Sequence, residues 1–426
     1  MSGSLTKPDI SVIIPVLSNA NTLDSLLSRL TAILTELAVN YEILVVGSSE
    51  FTANLAANQQ IRAINPEDSH YGGVLLAGFA AATGDYLLTM DADLANSPNF
   101  VRTLWGNRHA ADVIIASRYV AGAKVQMPPV RYALSCIVNL VFSRGLSLHV
   151  RDMSSGFRLY NASVLERFKF VSTDFSILQE ILTKFYCEGY AIREIPFTYE
   201  PISRGGSYNR VVSFGLAYLR TFASLYRLRN SILSADYDDR AYDSIVYPQR
   251  YWQRERFRHI VDLTTGQGPT LDVGCGSSRI IQALPKGSIA LDILVRKVRY
   301  AQHKFDKLVL LGSGFHLPFE DASFPCVLCS QVIEHVPKES PILDELCRVL
   351  APGGRLVLGT PDYANWEWIV IEAIYGKVLP SAYADEHISH YTKQELIGLF
   401  EARGYKLQFV RYILRGELIL TFQKPG

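Results

Sequence analysis

No stretch of this chain holds the roughly eighteen uninterrupted apolar residues of a membrane-spanning helix. The start, Met1 to Pro8, has no apolar core of the secretory kind, so a cytoplasmic location is expected. Cysteine is scarce. The 6 cysteines, Cys136, Cys187, Cys275, Cys326, Cys329 and Cys347, fall mostly in apolar stretches, which argues against a disulfide framework and predicts reduced thiols. Cys326 and Cys329 have a metal-type spacing but lie inside the apolar run Cys326-Val327-Leu328-Cys329 with no second pair. A net charge of +1 offers no field for general nucleic-acid binding. Internal repeats and low-complexity tracts are also lacking. What is there is a chain with 48% hydrophobic residues, enough for two cores, and a strand–helix rhythm in both halves that predicts two α/β domains.

The most informative stretch is Tyr86-Leu87-Leu88-Thr89-Met90-Asp91-Ala92-Asp93, an apolar strand ending in two carboxylates one residue apart. Side chains two apart on an extended strand point the same way, so Asp91 and Asp93 can converge on one hard cation, Mg2+ or Mn2+. Such a cation grips a diphosphate and stabilises it as a leaving group. The plainer reading is a turn capped by two carboxylates after a buried strand.

Further blocks follow in a fixed order: Ser11-Val12-Ile13-Ile14-Pro15, Glu42-Ile43-Leu44-Val45-Val46, Tyr71-Gly72-Gly73 with Ala77-Gly78-Phe79, and Ala116-Ser117-Arg118-Tyr119. Arg131 and Ser135, Asp152-Met153-Ser154-Ser155-Gly156-Phe157-Arg158, Gly189 to Pro196, Arg204 and Gly206-Ser207 complete the set. From about Ile10 to Arg210 the chain resembles the family 2 glycosyltransferases, specifically the dolichyl-phosphate mannose synthase branch. The resemblance implies a GT-A-type domain, an inverting transfer, a nucleotide-sugar donor (GDP-mannose or UDP-hexose) and a polyprenyl phosphate acceptor. Metal-binding and catalytic roles then fall to Asp91 and Asp93, with Arg118 and Asp152 beside them. Pro15, Asn19, Arg131, Ser135, Ser155, Arg158, Arg204 and Ser207 are implied in substrate binding. Arginine suits phosphate because its planar fork donates two parallel hydrogen bonds. For Asp152, Ser155 and Arg158 a hydrogen-bonded turn with an ion pair stands beside substrate contact as a reading.

Three positions depart from the family pattern. Pro15-Val16-Leu17-Ser18-Asn19 replaces Pro-x-Tyr-Asn-Glu, Gly47-Ser48-Ser49-Glu50 replaces the Asp-Asp-Gly-Ser after the second strand, and Ala95 stands where a glutamine is common. The base pocket is therefore eroded while the acidic pair and the phosphate arginines persist.

A second site opens at Thr270-Leu271-Asp272-Val273-Gly274-Cys275-Gly276-Ser277-Ser278, a strand entering a glycine turn with a helix expected over Arg279 to Leu284. Glycines there let a nucleotide approach the backbone. With Ala290-Leu291-Asp292, Leu317-Pro318-Phe319, Ile333-Glu334-His335-Val336 and Leu350 to Leu356, residues from about Tyr251 to Gln423 resemble class I S-adenosylmethionine-dependent methyltransferases acting on small molecules. The resemblance implies a Rossmann-like domain that binds S-adenosylmethionine through Asp272, Gly274, Cys275, Gly276, Asp292, Ser313 and Gln331. Ser313 replaces the acidic residue that usually meets adenine, and Ser278 a frequent third glycine. His335, His387 and His390 are candidate bases, with packing after the fourth strand the plainer role for His335. The loop Ala384 to Tyr391 reads as a substrate lid; a metal held there by Asp385, Glu386, His387 and His390 finds no support from a cysteine or a remote ligand.

The expected organisation is a glycosyltransferase domain over 1–210, an amphipathic helix and linker over 211–245 with a charged break at Asp236 to Arg240, and a methyltransferase domain over 246–426, led by a helix from Tyr247 to Val261. Tyr132 to Phe142 and Val211 to Leu233 are apolar, arginine-flanked helix candidates that either rest on a membrane surface or pack on a domain. Together these features predict a bifunctional enzyme of glycan or glycolipid assembly, the methyl acceptor being a small molecule, sugar or lipid. The alternative keeps only methyl transfer and makes the first domain a binding or docking module.

Overall fold

The computed structural model describes residues 7–17, 21–49, 60–92, 94–200, 220–378 and 387–426. It divides into two compact units, the first formed by 1–186 and 190–229, the second by 187–189 and 230–426. Asn19, Asp93, Arg204, Ser207 and the first part of Val211 to Leu233, residues 211–219, lie outside the described residues, as do Asp385 and Glu386. Of Arg131 only the backbone is described.

The first unit is built on a seven-stranded sheet of order β3-β2-β1-β4-β7-β5-β8. Its strands are β1 (Ile10–Val16), β2 (Tyr41–Gly47), β3 (Ile61–Ile64), β4 (Tyr86–Thr89), β5 (Val113–Ser117), β7 (Arg158–Asn161) and β8 (Ile192–Pro196). A short ribbon pairs β6 (Lys124–Val125) with β9 (Thr198–Tyr199). Strands β3, β2, β1 and β4 are parallel, and β7 runs antiparallel between β4 and β5. The near-continuous apolar strands are explained by burial on both faces. Along β1, Val12 and Ile14 enter one core and Ile13 the other. Helix Leu23–Glu36 covers the first core with Leu23, Leu26, Leu27, Leu30, Ile33 and Leu34, the spacing of a single helical stripe. Helix Tyr71–Ala81 covers the second, seated closely because a Cβ on Gly78 would lie 2.5 Å from Ile13 Cγ2.

The second unit holds another seven-stranded sheet, ordered β12-β11-β10-β13-β14-β16-β15. The strands are β10 (Thr270–Val273), β11 (Ile289–Asp292), β12 (Leu308–Leu311), β13 (Phe324–Ser330), β14 (Leu350–Pro361), β15 (Lys406–Ile413) and β16 (Glu417–Gln423). The first five in that order are parallel; β16 is antiparallel to both β14 and β15. The leading helix spans Tyr247–Thr264, and the helix expected at Arg279 to Leu284 is shorter, Ile280–Ala283. The charged stretch expected as a break forms helix Tyr237–Tyr242 inside the second unit, because its carboxylates find buried partners there. Among the described residues no helix is long and apolar enough to cross a membrane.

Two substrate-binding expectations are corrected by burial. Pro15 sits inside β1 opposite Val46, with its ring in the core. Arg158 is 0% exposed, and its guanidinium donates to the carbonyls of Leu178 (2.8 Å) and Met153 (2.9 Å), tying β7 to helix Ile177–Cys187 and to the preceding loop. A buried guanidinium spent on main-chain acceptors is an anchor, not a phosphate ligand. Replacing Arg158 by Leu leaves those carbonyls unpaired and lowers the stability of the first unit by on the order of 3 kcal/mol, read from its urea unfolding transition.

Candidate active sites

In the first unit the chain leaves β4 at Thr89, whose hydroxyl donates to the carbonyl of Gly156 (2.6 Å), and Asp91 follows at the carboxyl end of the sheet. Sites of open α/β sheets form at such strand ends. The Asp91 carboxylate faces Gly156: a Cβ built there would stand 3.4 and 3.7 Å from its two oxygens and 2.6 Å from the Tyr71 hydroxyl. Its one described hydrogen-bond donor is Asn96 Nδ2, at 3.4 Å. Burial pushes the Asp91 carboxyl up, against the pull of Arg118 and Asn96. A half-buried carboxylate so thinly satisfied suits a hard cation, and the missing side chain at Gly156 lets the Tyr71 hydroxyl and the Asp91 carboxylate come close to the backbone. Asn96 stands one residue beyond Ala95, so an amide reaches this carboxylate from a neighbouring position.

Arg118 and Asp152, expected at the substrate, hold each other instead. The guanidinium donates to both Asp152 oxygens (2.8 and 2.7 Å), the Arg118 amide adds a third bond (2.9 Å), and Asp152 is 0% exposed. Burial alone would raise the Asp152 carboxyl, but Arg118 outweighs it and holds it below the usual range. With Nε and Nη2 committed to Asp152 and Ser154, Arg118 keeps its fork edge on this carboxylate rather than on a phosphate. Ser155 is likewise buried and donates to the carbonyl of Ala116 (2.9 Å), which corrects its assignment to the substrate. Ser135 is half-buried on helix Pro129–Gly145 and accepts from the Tyr119 hydroxyl (2.6 Å). On the same inward face Asn139 bonds Ser154 and the Met153 amide.

The second unit contains a cavity of about 700 Å³ at the carboxyl ends of β10, β11 and β13. Gly274 and Gly276 have positive φ (76° and 57°), and a Cβ on Gly274 would stand 2.2 Å from Val332. Only glycine fits this turn. Asp292 accepts from the amides of Gly276 and Leu294, both at 2.8 Å, and each oxygen keeps a lone pair for a ribose hydroxyl. Asp272 lines the cavity with its carboxyl pushed up to about 8 by burial and by Asp292. Cys275 is buried and inert, its thiol well above the ordinary value. Ser313 lines the wall and accepts from the Phe315 amide. Gln331 holds φ of 60°, and its buried Nε2 finds no partner. A glycine cradle, a carboxylate with spare lone pairs and an orphaned amide donor fit S-adenosylmethionine.

Sequence reasoning missed Asp238 and Lys297. Asp238 Oδ2 accepts from Lys297 Nζ (2.8 Å) and from the Ser277 amide (3.0 Å) and hydroxyl (3.2 Å), clasping the glycine turn from helix Tyr237–Tyr242. Alongside, Asp239 takes Arg279 and Tyr300. The signal was present in Asp238-Asp239, but their partners lie 39 residues or more away.

At the far end of the cavity His335 and His387 lie with ring centroids 4.9 Å apart. His387 Nδ1 bonds the Tyr363 hydroxyl (2.7 Å) and the Glu372 carboxylate (3.0 Å). Burial, reinforced by His335, lowers the His387 imidazole below its usual value. His390 is exposed, stacked on Tyr363 at 4.0 Å, and is not among the cavity residues, which corrects its assignment as a base.

Residues 11–168 match the family model "Glycosyl transferase family 2" and residues 271–358 the model "Methyltransferase domain". A dolichol-phosphate mannosyltransferase of Pyrococcus furiosus is 31% identical over 209 residues, 46% of this chain and 58% of that protein. A demethylmenaquinone methyltransferase of Lactiplantibacillus plantarum is 27% identical over 38% of this chain and 80% of its own length. The chain thus spans little more than half of the glycosyltransferase relative. The glucosyl-3-phosphoglycerate synthase of Mycobacterium tuberculosis, solved with Mn2+ and UDP, aligns over 51% of this chain and 78% of its own at 19% identity and a TM-score of 0.42. The chain therefore carries a family 2 glycosyltransferase domain over residues 11–168 followed by a methyltransferase domain over residues 271–358, each on one of the two α/β sheets.

Proposed function

We propose that the chain is a bifunctional enzyme whose first domain, ending near residue 210, moves a hexose from a nucleotide sugar to a polyprenyl phosphate. Its second domain, from about residue 246, methylates a small molecule, sugar or lipid. The observation that carries the first activity is Asp91, a thinly satisfied carboxylate just beyond the end of β4, packed close against Gly156. Held by Asp91 and Asp93, Mg2+ or Mn2+ neutralises charge on the departing diphosphate. The acceptor phosphate has a second pKa near 6, so it is already largely ionised at pH 7 and no strong general base is needed. Arg131, Ser135, Arg204 and Ser207 bind the acceptor, and Asn19 serves in recognition of the donor's base. Relatives named as dolichol-phosphate and undecaprenyl-phosphate transferases support this acceptor class.

A lipid acceptor requires a membrane surface, and helix Pro129–Gly145 offers one. While Ser135, Asn139 and Phe142 face inward, Val130, Ile137 (56% exposed), Leu140 (55%) and Val141 (52%) line the opposite side together with Arg144. An apolar stripe bearing an arginine suits an anionic bilayer face.

In the second domain S-adenosylmethionine supplies the methyl group on a sulfonium. Asp292 accepts from the ribose hydroxyls, the turn from Gly274 to Gly276 admits the nucleoside, and Asp272 faces the cofactor's positive charge. The acceptor lies between that turn and His335 and His387. That the two activities share a pathway is inferred from their union in one chain.

With Mn2+ present, calorimetric titration with GDP-mannose, UDP-glucose and related donors is expected to give binding that the double change Asp91→Ala, Asp93→Ala weakens at least a hundredfold. Protein that binds no donor yet still binds S-adenosylmethionine makes the first domain a docking module. The second domain carries a pH prediction. Asp272 is largely protonated in the cofactor-free protein at pH 7 because its pKa is raised to about 8. A cationic cofactor favours the ionised form, so binding releases a proton, and affinity rises by up to about tenfold per unit below pH 8 and then levels. Titrations at several pH values in buffers of different ionisation heat measure both effects, and Asp272→Asn abolishes them.

A further inference from the structure

We infer that the methyl-acceptor end of the second unit's cavity is a divalent transition-metal site formed by Glu334, His335 and His387. One ligand atom from each of these side chains lies within 4.8 Å of the other two. Ligand atoms about a shared ion at roughly 2.1 Å stand some 3 to 4 Å apart, so side-chain rotations of under about 1 Å close the set. The residues come from separate parts of the chain: Glu334 and His335 from the 3-10 turn Ile333–His335 after β13, His387 from the segment leading into Ser389, whose hydroxyl donates to the Val336 carbonyl (2.6 Å).

A second, independent observation points to a ligand. Glu334 is 0% exposed, and while one oxygen accepts from Thr360 (3.2 Å), Oε1 is buried with no hydrogen-bond partner. Leaving a carboxylate oxygen unsatisfied in a core is costly unless a cation completes it. The outer layer is also in place. His387 Nδ1 is bonded by the Glu372 carboxylate and the Tyr363 hydroxyl, the carboxylate–histidine arrangement that fixes ring orientation and basicity behind metal-bound imidazoles. Three protein ligands leave coordination positions open, and two imidazoles with one carboxylate suit Zn2+, Fe2+ or Co2+ better than Mg2+. His335 and His387 both line the cavity, so those positions face the methyl acceptor. An acceptor hydroxyl bound there loses its proton to solvent more readily. Its oxygen lone pair then forms the new C–O bond as the methyl–sulfur bond breaks toward sulfur, leaving the neutral thioether product.

The assignment of a metal role to the acceptor rests on the methyltransferase reading, whereas metal binding does not, and the test separates them. Full-length protein carrying Asp91→Ala and Asp93→Ala, which silences the first unit's acidic pair, is stripped with chelator and titrated with Co2+. One Co2+ per chain is expected, with the visible bands of nitrogen-ligated cobalt. His387→Ala abolishes the bands, and Glu372→Gln weakens binding about 10–100-fold. Far-UV circular dichroism and retained S-adenosylmethionine binding establish that each variant is folded. Absence of the bands in the parent protein, or Co2+ binding unchanged in both His335→Ala and His387→Ala, overturns the site. Metal binding intact in a protein that lacks S-adenosylmethionine affinity instead removes the methyltransferase reading and leaves the site standing.

Discussion

A carboxylate taken out of water must be met by donors or a cation, and both sheets place several carboxylates where this demand decides the local structure. In the first unit Glu42 is met by Ser11, Thr83 and Arg62, and Asp152 by Arg118. In the second, Asp238 is met by Ser277 and Lys297, and Glu417 by Arg256 on both oxygens. These groups hold turns and strands in register. Asp91, Asp272 and Glu334 form the contrasting set. They are enclosed at the carboxyl ends of strands or just beyond, and the described protein atoms satisfy them poorly. Each lies where a bound cation or cationic cofactor would finish what the fold leaves undone.

This contrast explains why residues of one motif separate so sharply in role. Asp152, Ser155 and Arg158 stand within seven positions, and all three are consumed internally: by Arg118, by the Ala116 carbonyl, and by the carbonyls of Leu178 and Met153. Gly156 in that run lies against Asp91, and it does so by lacking a side chain. The signature therefore builds a rigid wall behind Asp91. Ordering such a wall in advance spares the site that cost when a substrate arrives.

The second unit applies the same logic to a loop. A glycine turn with positive φ at Gly274 and Gly276 is entropically expensive to order. Asp238 restrains it through Ser277, and the half-buried pair with Lys297 fixes the helix from which Asp238 reaches. A stretch that looks like a charged break is thereby a structural part of the cofactor cavity, with Tyr237 and Asp238 in its wall.

Strand positions, both α/β sheets and the glycine turn were legible in the sequence because they depend on local signals: apolar runs such as Ser11 to Pro15, and Gly274-Cys275-Gly276 after a strand. Asp91 and Asp292 were legible for the same reason, each being the residue at which an apolar strand turns polar. Which polar residues are spent internally was not, since that depends on partners 20 to 60 positions away, as for Arg158 with Leu178 or Asp238 with Lys297. His390 shows the limit most simply. It is three residues from His387, yet the backbone sends one ring into the cavity and the other onto the exposed face of Tyr363. Sequence spacing determines which side chains can share a face; only tertiary packing decides whether a given carboxylate or imidazole meets a donor or is left for a ligand, because that choice is made by atoms distant in the chain.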